Sequence, residues 1–251
     1  MPGISENTSS RRAAAAVGRM AADDGRQLLG QCVLFRELGR EERDALFARV
    51  HVRAYCAGET IFHMGSAGDS MMAVLSGSVR ISVPSPDGRE IVLAILQSGE
   101  VFGEVALLDG KERTADARSL TACHLAILER RDVLALFDRH PKIWSKLVEM
   151  LCDRLRNTDQ QIADLALLDV PARLAKTLLR IAKPDRPATN SGRQLHVRLY
   201  QRELGNICGA SRESVNKCLG NWQRRGIVQI DEGVVMVANR TALQDLAERE
   251  L

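Results

Sequence analysis

Two short runs in the middle of the chain combine the residue types that bind a phosphate attached to a sugar. The runs are FGEVALL at residues 102–108 and RTA at residues 113–115. Gly103 lets backbone N–H groups approach an anion closely, and Arg113 can neutralise the anion with a forked pair of hydrogen bonds. Thr114 adds a hydroxyl group. Glu104 would repel a phosphate, so we expect it to accept a hydrogen bond from a ribose 2′-hydroxyl.

A second group of residues, near the C-terminus, has the chemistry to read DNA bases. Ser211 is a good N-cap, and the helix that it begins places Val215 and Leu219 on its inner face. The outer face then carries Arg212, Glu213, Asn216 and Lys217. Arginine can donate to guanine O6 and N7, and glutamate can accept from cytosine N4. The apolar runs GIVQI at 226–230 and VVMV at 234–237 predict a β-hairpin after this helix.

The charge distribution supports a polyanionic partner for the same part of the chain. Residues 171–230 contain twelve Lys/Arg and three Asp/Glu, a local charge of +9. Because the whole chain carries only +3, the remainder carries −6. A basic segment joined to an acidic remainder indicates that the basic segment meets nucleic acid.

Between these two regions the chain predicts one long helix with an apolar seam. The seam residues are spaced 4, 3, 4, 3, 4 and 3 apart, the a/d pattern of a two-stranded coiled coil. They are Trp144, Val148, Leu151, Leu155, Thr158, Ile162 and Leu165. We therefore expect a homodimer, with Thr158 as the only polar residue of the seam.

The long helix should end near Asp169. Pro171 disfavours helical geometry at Val170, and Asp169 is a good N-cap for a second amphipathic helix through Leu174 and Leu178. Two helices thus meet at a joint, and we assign Asp169 as its hinge.

The N-terminal half has the pattern of short strands. Val79, Ile81 and Val83 alternate with polar residues, which predicts a strand with one buried face. A second strand is expected over residues 91–96. Strands of this length and spacing predict an antiparallel sandwich or barrel over residues 31–130. Residues 1–28 lack lasting periodicity and are expected to form a flexible tail.

Several classes of function are disfavoured by what the sequence lacks. Its six cysteines are scattered and include no CxxC pair, so we expect no metal centre and a reducing compartment. No apolar run approaches the roughly 20 residues of a membrane span. We expect a cytoplasmic protein that is not an enzyme, because the runs at 102–108 and 113–115 hold one carboxylate, Glu104, already assigned to ribose.

The C-terminal region resembles the winged helix-turn-helix of the cyclic-AMP receptor protein and fumarate–nitrate regulator (Crp–Fnr) family. The matching residues are Gly209, the run SRExV at 211–215 and the basic Lys217. The resemblance implies that Ser211, Arg212, Glu213 and Lys217 contact double-stranded DNA with an inverted-repeat operator. Lys217 replaces an arginine common in the family and lacks its forked geometry.

The run at 102–115 resembles the phosphate-binding cassette of cyclic-nucleotide-binding domains. The resemblance continues through GxxGD at 65–69, LSGxV at 75–79 and LALLDVPAR at 165–173. It implies that Gly103 and Glu104 hold phosphate and ribose and that Arg113 and Thr114 hold phosphate. It also places Thr158 against the base, with Asp159 at the next position, where the receptor protein has a serine.

The resemblance implies an α+β fold. A double-stranded β-roll over residues 29–138 binds the nucleotide, a dimerisation helix and hinge cover 139–169, and the winged helix-turn-helix covers 170–251, after a tail at 1–28. The predicted function is a cyclic-nucleotide-responsive transcription regulator with RNA polymerase as a further partner.

Three questions remain open at this point. Cyclic AMP is favoured over cyclic GMP, because the family geometry points Asp159 at the N6 side of the base, but a threonine after the arginine, here Thr114, accompanies cyclic GMP in eukaryotic kinase domains. The same scaffold could sense another metabolite or a redox signal. It could also bind DNA without a ligand.

Overall fold

The computed structural model describes residues 22–86, 90–181, 183–184, 195–197, 201–231 and 234–248. The chain divides into two units, of which the second comprises residues 89–92 and 155–251 and the first comprises the rest, and each unit is described by itself. None of the helices in the described ranges combines the length and the hydrophobicity that a membrane span requires.

The first unit contains eight β-strands, one of which begins in residues assigned to the second unit, and helices before and after them, the last of which continues into the second unit. Two helices, α1 (Ala22–Gln31) and α2 (Arg40–Phe47), precede the strands. The strands are β1 (His51–Tyr55), β2 (Thr60–Phe62), β3 (Ser70–Ser76), β4 (Ser78–Pro84), β5 (Glu90–Gln97), β6 (Val101–Phe102), β7 (Asp116–Ser119) and β8 (Cys123–Glu129). The short helix α3 (Glu104–Asp109) lies between β6 and β7 in sequence, and α4 (Arg130–Arg139) and the long α5 (Pro141–Leu167) follow β8.

The eight strands form two four-stranded sheets, which confirms the predicted β-roll. Their strand orders are β1-β8-β3-β6 and β2-β7-β4-β5. One apolar cluster draws on both sheets and includes Tyr55, Val79, Leu96, Phe102 and Leu125. A second cluster packs the first sheet against the helices and includes Leu29, Phe35, Leu128, Phe137 and Leu147.

The prediction that β4 buries only one of its faces is incomplete. Val79 is fully buried as expected, and Ile81 packs partly buried against the same cluster. On the opposite face, however, Arg80 and Ser82 are buried as well. Alternation of apolar and polar residues cannot reveal a covered face whose side chains are polar.

The N-terminal prediction needs a correction where the structure describes the segment. Residues 22–28 belong to α1 and not to a flexible tail. Leu28 and Leu29 pack against the helix-side cluster, and this burial holds the helix in place although its remaining residues are mostly polar. The predicted tail at residues 1–21 lies outside the described residues.

Helix α5 exposes most of the predicted seam. Leu155 is 62 % exposed, Ile162 60 % and Val148 53 %, although each is aliphatic. A soluble helix normally buries such residues. The stripe is therefore a surface available to a partner.

The second unit carries the expected helix-turn-helix and wing. Its elements after α5 are α6 (Val170–Ile181), β9 (Lys183–Pro184), β10 (Leu195–Val197), α7 (Gln201–Cys208), α8 (Arg212–Arg224), β11 (Val228–Asp231), β12 (Val234–Val237) and α9 (Arg240–Ala247). The sheet order is β11-β12-β10-β9, and β11 and β12 pair antiparallel as the predicted hairpin. The core of the unit includes Leu174, Leu178, Leu204, Val215, Trp222 and Leu243.

The joint between α5 and α6 lies where the sequence predicts it. Helix α5 ends at Leu167, and the Asp169 carboxylate accepts a hydrogen bond from the Ala172 backbone N–H at 2.8 Å, as an N-cap does. The expectation that Val170 is not helical is wrong, because α6 begins at that residue. Pro171 falls in the first turn, where its missing N–H has no helical partner to lose.

Candidate ligand cassette and DNA-reading helix

The predicted cassette is organised around a left-handed turn at Gly103. This glycine links β6 to α3 with φ of +79°, a conformation that favours glycine. A Cβ atom there would lie 2.6 Å from the Arg113 Nη1 atom and 3.3 Å from the Ser70 carbonyl oxygen. Both the backbone conformation and the lack of space therefore require glycine at this position.

Arg113 is buried against this turn and is held on several sides. Arg113 is only 4 % exposed to solvent. Nη1 donates to the Gly103 carbonyl at 2.9 Å, and Nη2 donates to the Ser70 hydroxyl at 3.1 Å. The guanidinium carbon lies 4.4 Å from the centre of the Phe62 ring, a cation–π geometry. Arg113 Nε is buried and finds no hydrogen-bond partner in the ranges that the structure describes.

The charge of Arg113 is opposed by burial and supported by two carboxylates. Burial lowers the pKa of Arg113, while the negative charges of Asp69 and Glu104 act to raise it. Arginine remains protonated in proteins, so the cassette holds a buried cation. A bound anion would supply further compensating charge.

Glu104 is the matching buried carboxylate. It is 3 % exposed, and its Oε1 accepts a hydrogen bond from Arg154 Nη1. Arg154 also donates from Nη2 to the Val101 carbonyl. The other oxygen, Glu104 Oε2, is buried and has no hydrogen-bond partner among the described residues. It is therefore placed to accept a hydrogen bond from a polar group that enters the cassette.

The backbone of the 65–69 loop fixes the position of Arg113. The Arg113 N–H donates to the Ser66 carbonyl at 2.8 Å, and the Gly65 N–H donates to the Arg113 carbonyl at 2.9 Å. A Cβ at Gly68 would lie 2.2 Å from the Ala106 Cβ, so this loop packs directly on α3. The resemblance noted for residues 65–69 thus has a structural basis, because this loop holds Arg113 and packs on α3.

The sequence did not identify three residues of this cassette. Arg154, Phe62 and Ser70 all contact Glu104 or Arg113 across 43 to 51 residues of sequence. No local spacing connects residues so far apart. Arg154 precedes the seam residue Leu155, and that pattern directs attention to dimerisation alone.

The remaining predicted ligand residues are placed as follows. Thr114 is exposed between the buried Arg113 and Ala115. Thr158 and Asp159 are exposed on α5 and belong to the second unit. Their roles towards a ligand stay predictions.

Helix α8 presents the predicted DNA-reading residues to solvent. The Ser211 hydroxyl accepts a hydrogen bond from the Ser214 N–H at 3.1 Å and caps the helix. Val215 and Leu219 are fully buried. The outward residues Arg212, Glu213, Asn216 and Lys217 are all exposed. The orientation of the helix agrees with the sequence prediction, while DNA contacts by these residues stay predictions.

Arg173 connects the joint near Asp169 to the helix-turn-helix through hydrogen bonds. It donates from Nε to the Cys208 carbonyl at 3.0 Å and from Nη1 to the Leu168 carbonyl at 2.5 Å. A Cβ at Gly209 would lie 2.6 Å from Leu165 Cδ2. The last turn of α5 therefore packs directly on the turn that precedes α8.

The described part of the chain contains no group of three or more His, Cys, Asp or Glu side chains that could hold a metal ion. The histidine nearest the cassette in sequence, His124, lies 3.0 Å through Nδ1 from the Ser76 hydroxyl. This hydrogen bond fits a structural role for His124.

Two family models match the two units. A cyclic nucleotide-binding domain matches residues 52–140, and a Crp-like helix-turn-helix domain matches residues 172–246. The chain is 32 % identical over 219 residues to a CRP-like cAMP-activated global transcriptional regulator of Mycobacterium tuberculosis, covering 86 % of this chain and 97 % of that protein. It is 34 % identical over 199 residues to the cAMP-activated global transcriptional regulator Vfr of Pseudomonas aeruginosa, covering 77 % and 92 %.

A solved structure with the same architecture is that of the c-di-GMP responsive global regulator CLP of Xanthomonas campestris. It has a TM-score of 0.69 and 29 % identity, and the match covers 79 % of this chain and 99 % of that one. A nucleotide-binding roll joined to a DNA-binding helix-turn-helix defines a transcription regulator that carries its own sensor. The chain belongs to the Crp–Fnr family.

The Arg154–Glu104 ion pair generates a prediction about stability. Arg154→Ala should lower the free energy of unfolding of the first unit by about 1–3 kcal/mol, because Glu104 is left buried without its partner. In a Glu104→Gln background the same change should cost clearly less, because no carboxylate remains to be paired.

Urea denaturation in a Trp222→Phe background measures this effect, because Trp144 is then the only tryptophan and lies in the first unit. Lys146→Ala, which removes an exposed ion pair on the same helix, is the control and should change stability by less than about 0.5 kcal/mol. An equal cost of Arg154→Ala in both backgrounds would show that the ion pair contributes nothing.

Proposed function

We propose that this chain is a homodimeric transcription regulator whose affinity for DNA is controlled by a cyclic nucleotide bound at the Gly103 cassette. The observation that carries the proposal is the pair of buried opposite charges, Arg113 and Glu104, each with one polar atom that no described residue satisfies. A phosphate requires a cation, and a ribose hydroxyl requires an acceptor. A cyclic nucleotide offers both groups a few ångströms apart.

The ligand differs among the relatives, so more than one ligand must be considered for the cassette of this chain. The Xanthomonas regulator is responsive to c-di-GMP, whereas the Mycobacterium and Pseudomonas regulators are cAMP-activated. Another metabolite thus remains the alternative ligand. Ligand-independent DNA binding is a further alternative. It is disfavoured because the buried charges of Arg113 and Glu104 would then have no ligand to bind.

A thiol-based redox signal has little support from the buried cysteines. Burial raises the pKa of Cys32 and of Cys123 to about 12 and the pKa of Cys208 to about 11. The thiolate is the reactive form of cysteine, so these three thiols are nearly inert at neutral pH.

The DNA partner that we propose is an inverted repeat near TGTGA…TCACA, by resemblance to the family. Its half-sites would lie one helical turn apart, roughly 34 Å. Arg212 would read a guanine and Glu213 a cytosine, with Ser211 and Lys217 beside them. RNA polymerase is the proposed protein partner, because a regulator acts by recruiting or obstructing that enzyme, and the cytoplasm is the proposed location.

The proposed dimer uses the exposed seam of α5. Five large apolar side chains of the seam are between 38 % and 62 % exposed, which a second copy of the same helix would cover. By resemblance, Thr158 contacts the base of the ligand. Because Arg154 links α5 to Glu104, ligand binding at Glu104 would act on this helix, and Asp169 is the proposed hinge through which it reaches α8.

We propose cyclic AMP as the preferred nucleotide and cyclic GMP as the second. Asp159 brings a carboxylate to this position, a group that only accepts hydrogen bonds. Adenine offers it the N6 amino group, whereas guanine offers N1–H and N2–H₂ but also a repelling O6. Thr114 favours cyclic GMP by the resemblance already described.

The first prediction concerns the phosphate. Arg113→Ala should weaken cyclic-nucleotide binding by about 1.5–3 kcal/mol, because a charge-assisted fork is lost. Arg113→Lys, which keeps the charge without the fork, should be intermediate. Arg118→Ala removes an exposed arginine of the same unit and should leave affinity unchanged. If calorimetry shows unchanged affinity in Arg113→Ala, the cassette does not bind the phosphate of the nucleotide.

The second prediction concerns base recognition. Arg212→Ala should cost about 1–3 kcal/mol of operator affinity and relax the choice of one base pair per half-site, because a bidentate contact to guanine is lost. Binding to a panel of single-base operator variants measures this. A uniform loss on every duplex would instead mean that Arg212 contacts only phosphate.

The third prediction concerns the choice of nucleotide. Asp159→Ser should change the ratio of the affinities for cyclic AMP and cyclic GMP, because a hydroxyl can donate as well as accept. Loss of a bidentate guanine contact would appear as a selective loss of cyclic GMP. Should calorimetry show both affinities unmoved, Asp159 does not contact the base.

A further inference from the structure

A half-buried glycine lies among the exposed residues on the outward face of α8. Gly220 lies three residues after Lys217, seven after Glu213 and four before Arg224, so all four share one side of the helix. Glycine is the poorest helix former apart from proline, because it loses the most backbone freedom. Its presence inside a 13-residue helix calls for a cause.

Nothing in the described part of the chain supplies that cause. The backbone of Gly220 is helical and not left-handed, and a Cβ there would meet no atom within 4 Å outside its own helix backbone and its chain neighbours. The other two glycines of the helix-turn-helix differ in this respect. Gly209 has φ of +62°, and a Cβ at Gly205 would lie 2.8 Å from the Ala210 carbonyl oxygen. Gly220 alone among these three is not required by the chain itself.

A cation lies beside the bare backbone of Gly220. Arg224 is exposed, and its Nε donates to the Gly220 carbonyl at 3.4 Å. In the ranges that the structure describes, Arg224 forms no salt bridge. Its remaining N–H groups can therefore receive an anion that approaches the helix at Gly220.

We propose that duplex DNA lies directly against Gly220 and that Arg224 donates to a DNA phosphate at that point. The inference rests on the proposed DNA binding by α8, and it extends the contact surface beyond Arg212, Glu213 and Lys217. A side chain at Gly220 would stand between the helix and the duplex. The cost of a glycine in the helix is thereby explained by closer approach of the DNA.

Gly220→Ala tests the proposal because it should raise the thermal stability of the protein and, at the same time, weaken its binding to DNA. Alanine should stabilise the helix and raise the Tm by roughly 2–6 °C. The same change should weaken operator binding on the order of tenfold, because the methyl group occupies space that belongs to the duplex. Gly220→Leu should weaken binding further. Gln244→Ala, on the exposed face of α9, is the control and should leave DNA affinity unchanged.

The Arg224 contact has a separate signature in salt dependence. Arg224→Ala should weaken binding equally on operator and random duplex, and the slope of log K against log salt should decrease by about one. Arg224→Lys should restore the slope. An unchanged slope, or a loss confined to the operator, would overturn the phosphate contact.

The outcomes separate this inference from the proposed function. The probe is a duplex that the wild-type chain selects from a random library in the presence of cyclic AMP or cyclic GMP. If the wild-type chain selects and binds no duplex, the proposed function itself fails. If the wild-type chain binds and Gly220→Ala binds equally well or better, only the close approach at Gly220 is overturned.

Discussion

The burial of two opposite charges at a left-handed glycine is the constraint on which the sensing half of the molecule depends. A buried charge costs several kcal/mol unless it is paired and hydrogen-bonded, and Arg113 and Glu104 are both almost fully buried. Their positions therefore require the turn at Gly103, the loop that holds the Arg113 backbone and the helix that carries Arg154. Within the described part of the chain, each charge retains one unsatisfied polar atom, Nε in one case and Oε2 in the other. The described residues thus form a costly site that they do not complete themselves.

The same constraint connects the cassette to the rest of the chain. Arg154 is a residue of α5, the helix whose exposed aliphatic seam is the proposed dimer surface. The other end of that helix packs Leu165 against Gly209 and meets Arg173 through the Leu168 carbonyl. One helix therefore carries contacts to the cassette residue Glu104 at one point and to the helix-turn-helix at another. A ligand shifts such a system only by binding its two states with different affinity.

The sequence predicted the elements whose signal is local and missed those whose signal is not. Ser211, Val215 and Leu219 define the direction of α8 from their spacing alone, and Asp169 marks the joint because an N-cap precedes its own helix. Gly103, Glu104 and Arg113 come together because they lie within eleven residues of one another. Arg154 was missed because an ion pair across 50 residues leaves no trace in local periodicity. The buried polar face of β4 escaped for a related reason, since Arg80 and Ser82 are of types that usually mark a solvent face.

The most direct test of the central claim is operator affinity measured as a function of cyclic-nucleotide concentration. Fluorescence anisotropy of a labelled inverted-repeat duplex would report binding by the purified full chain during titration with cyclic AMP and, separately, cyclic GMP. We predict that at least one nucleotide tightens operator binding by about tenfold or more, a coupling of about 1.4 kcal/mol. Glu104→Gln should reduce this gain. Operator affinity that stays the same across both titrations would contradict the account.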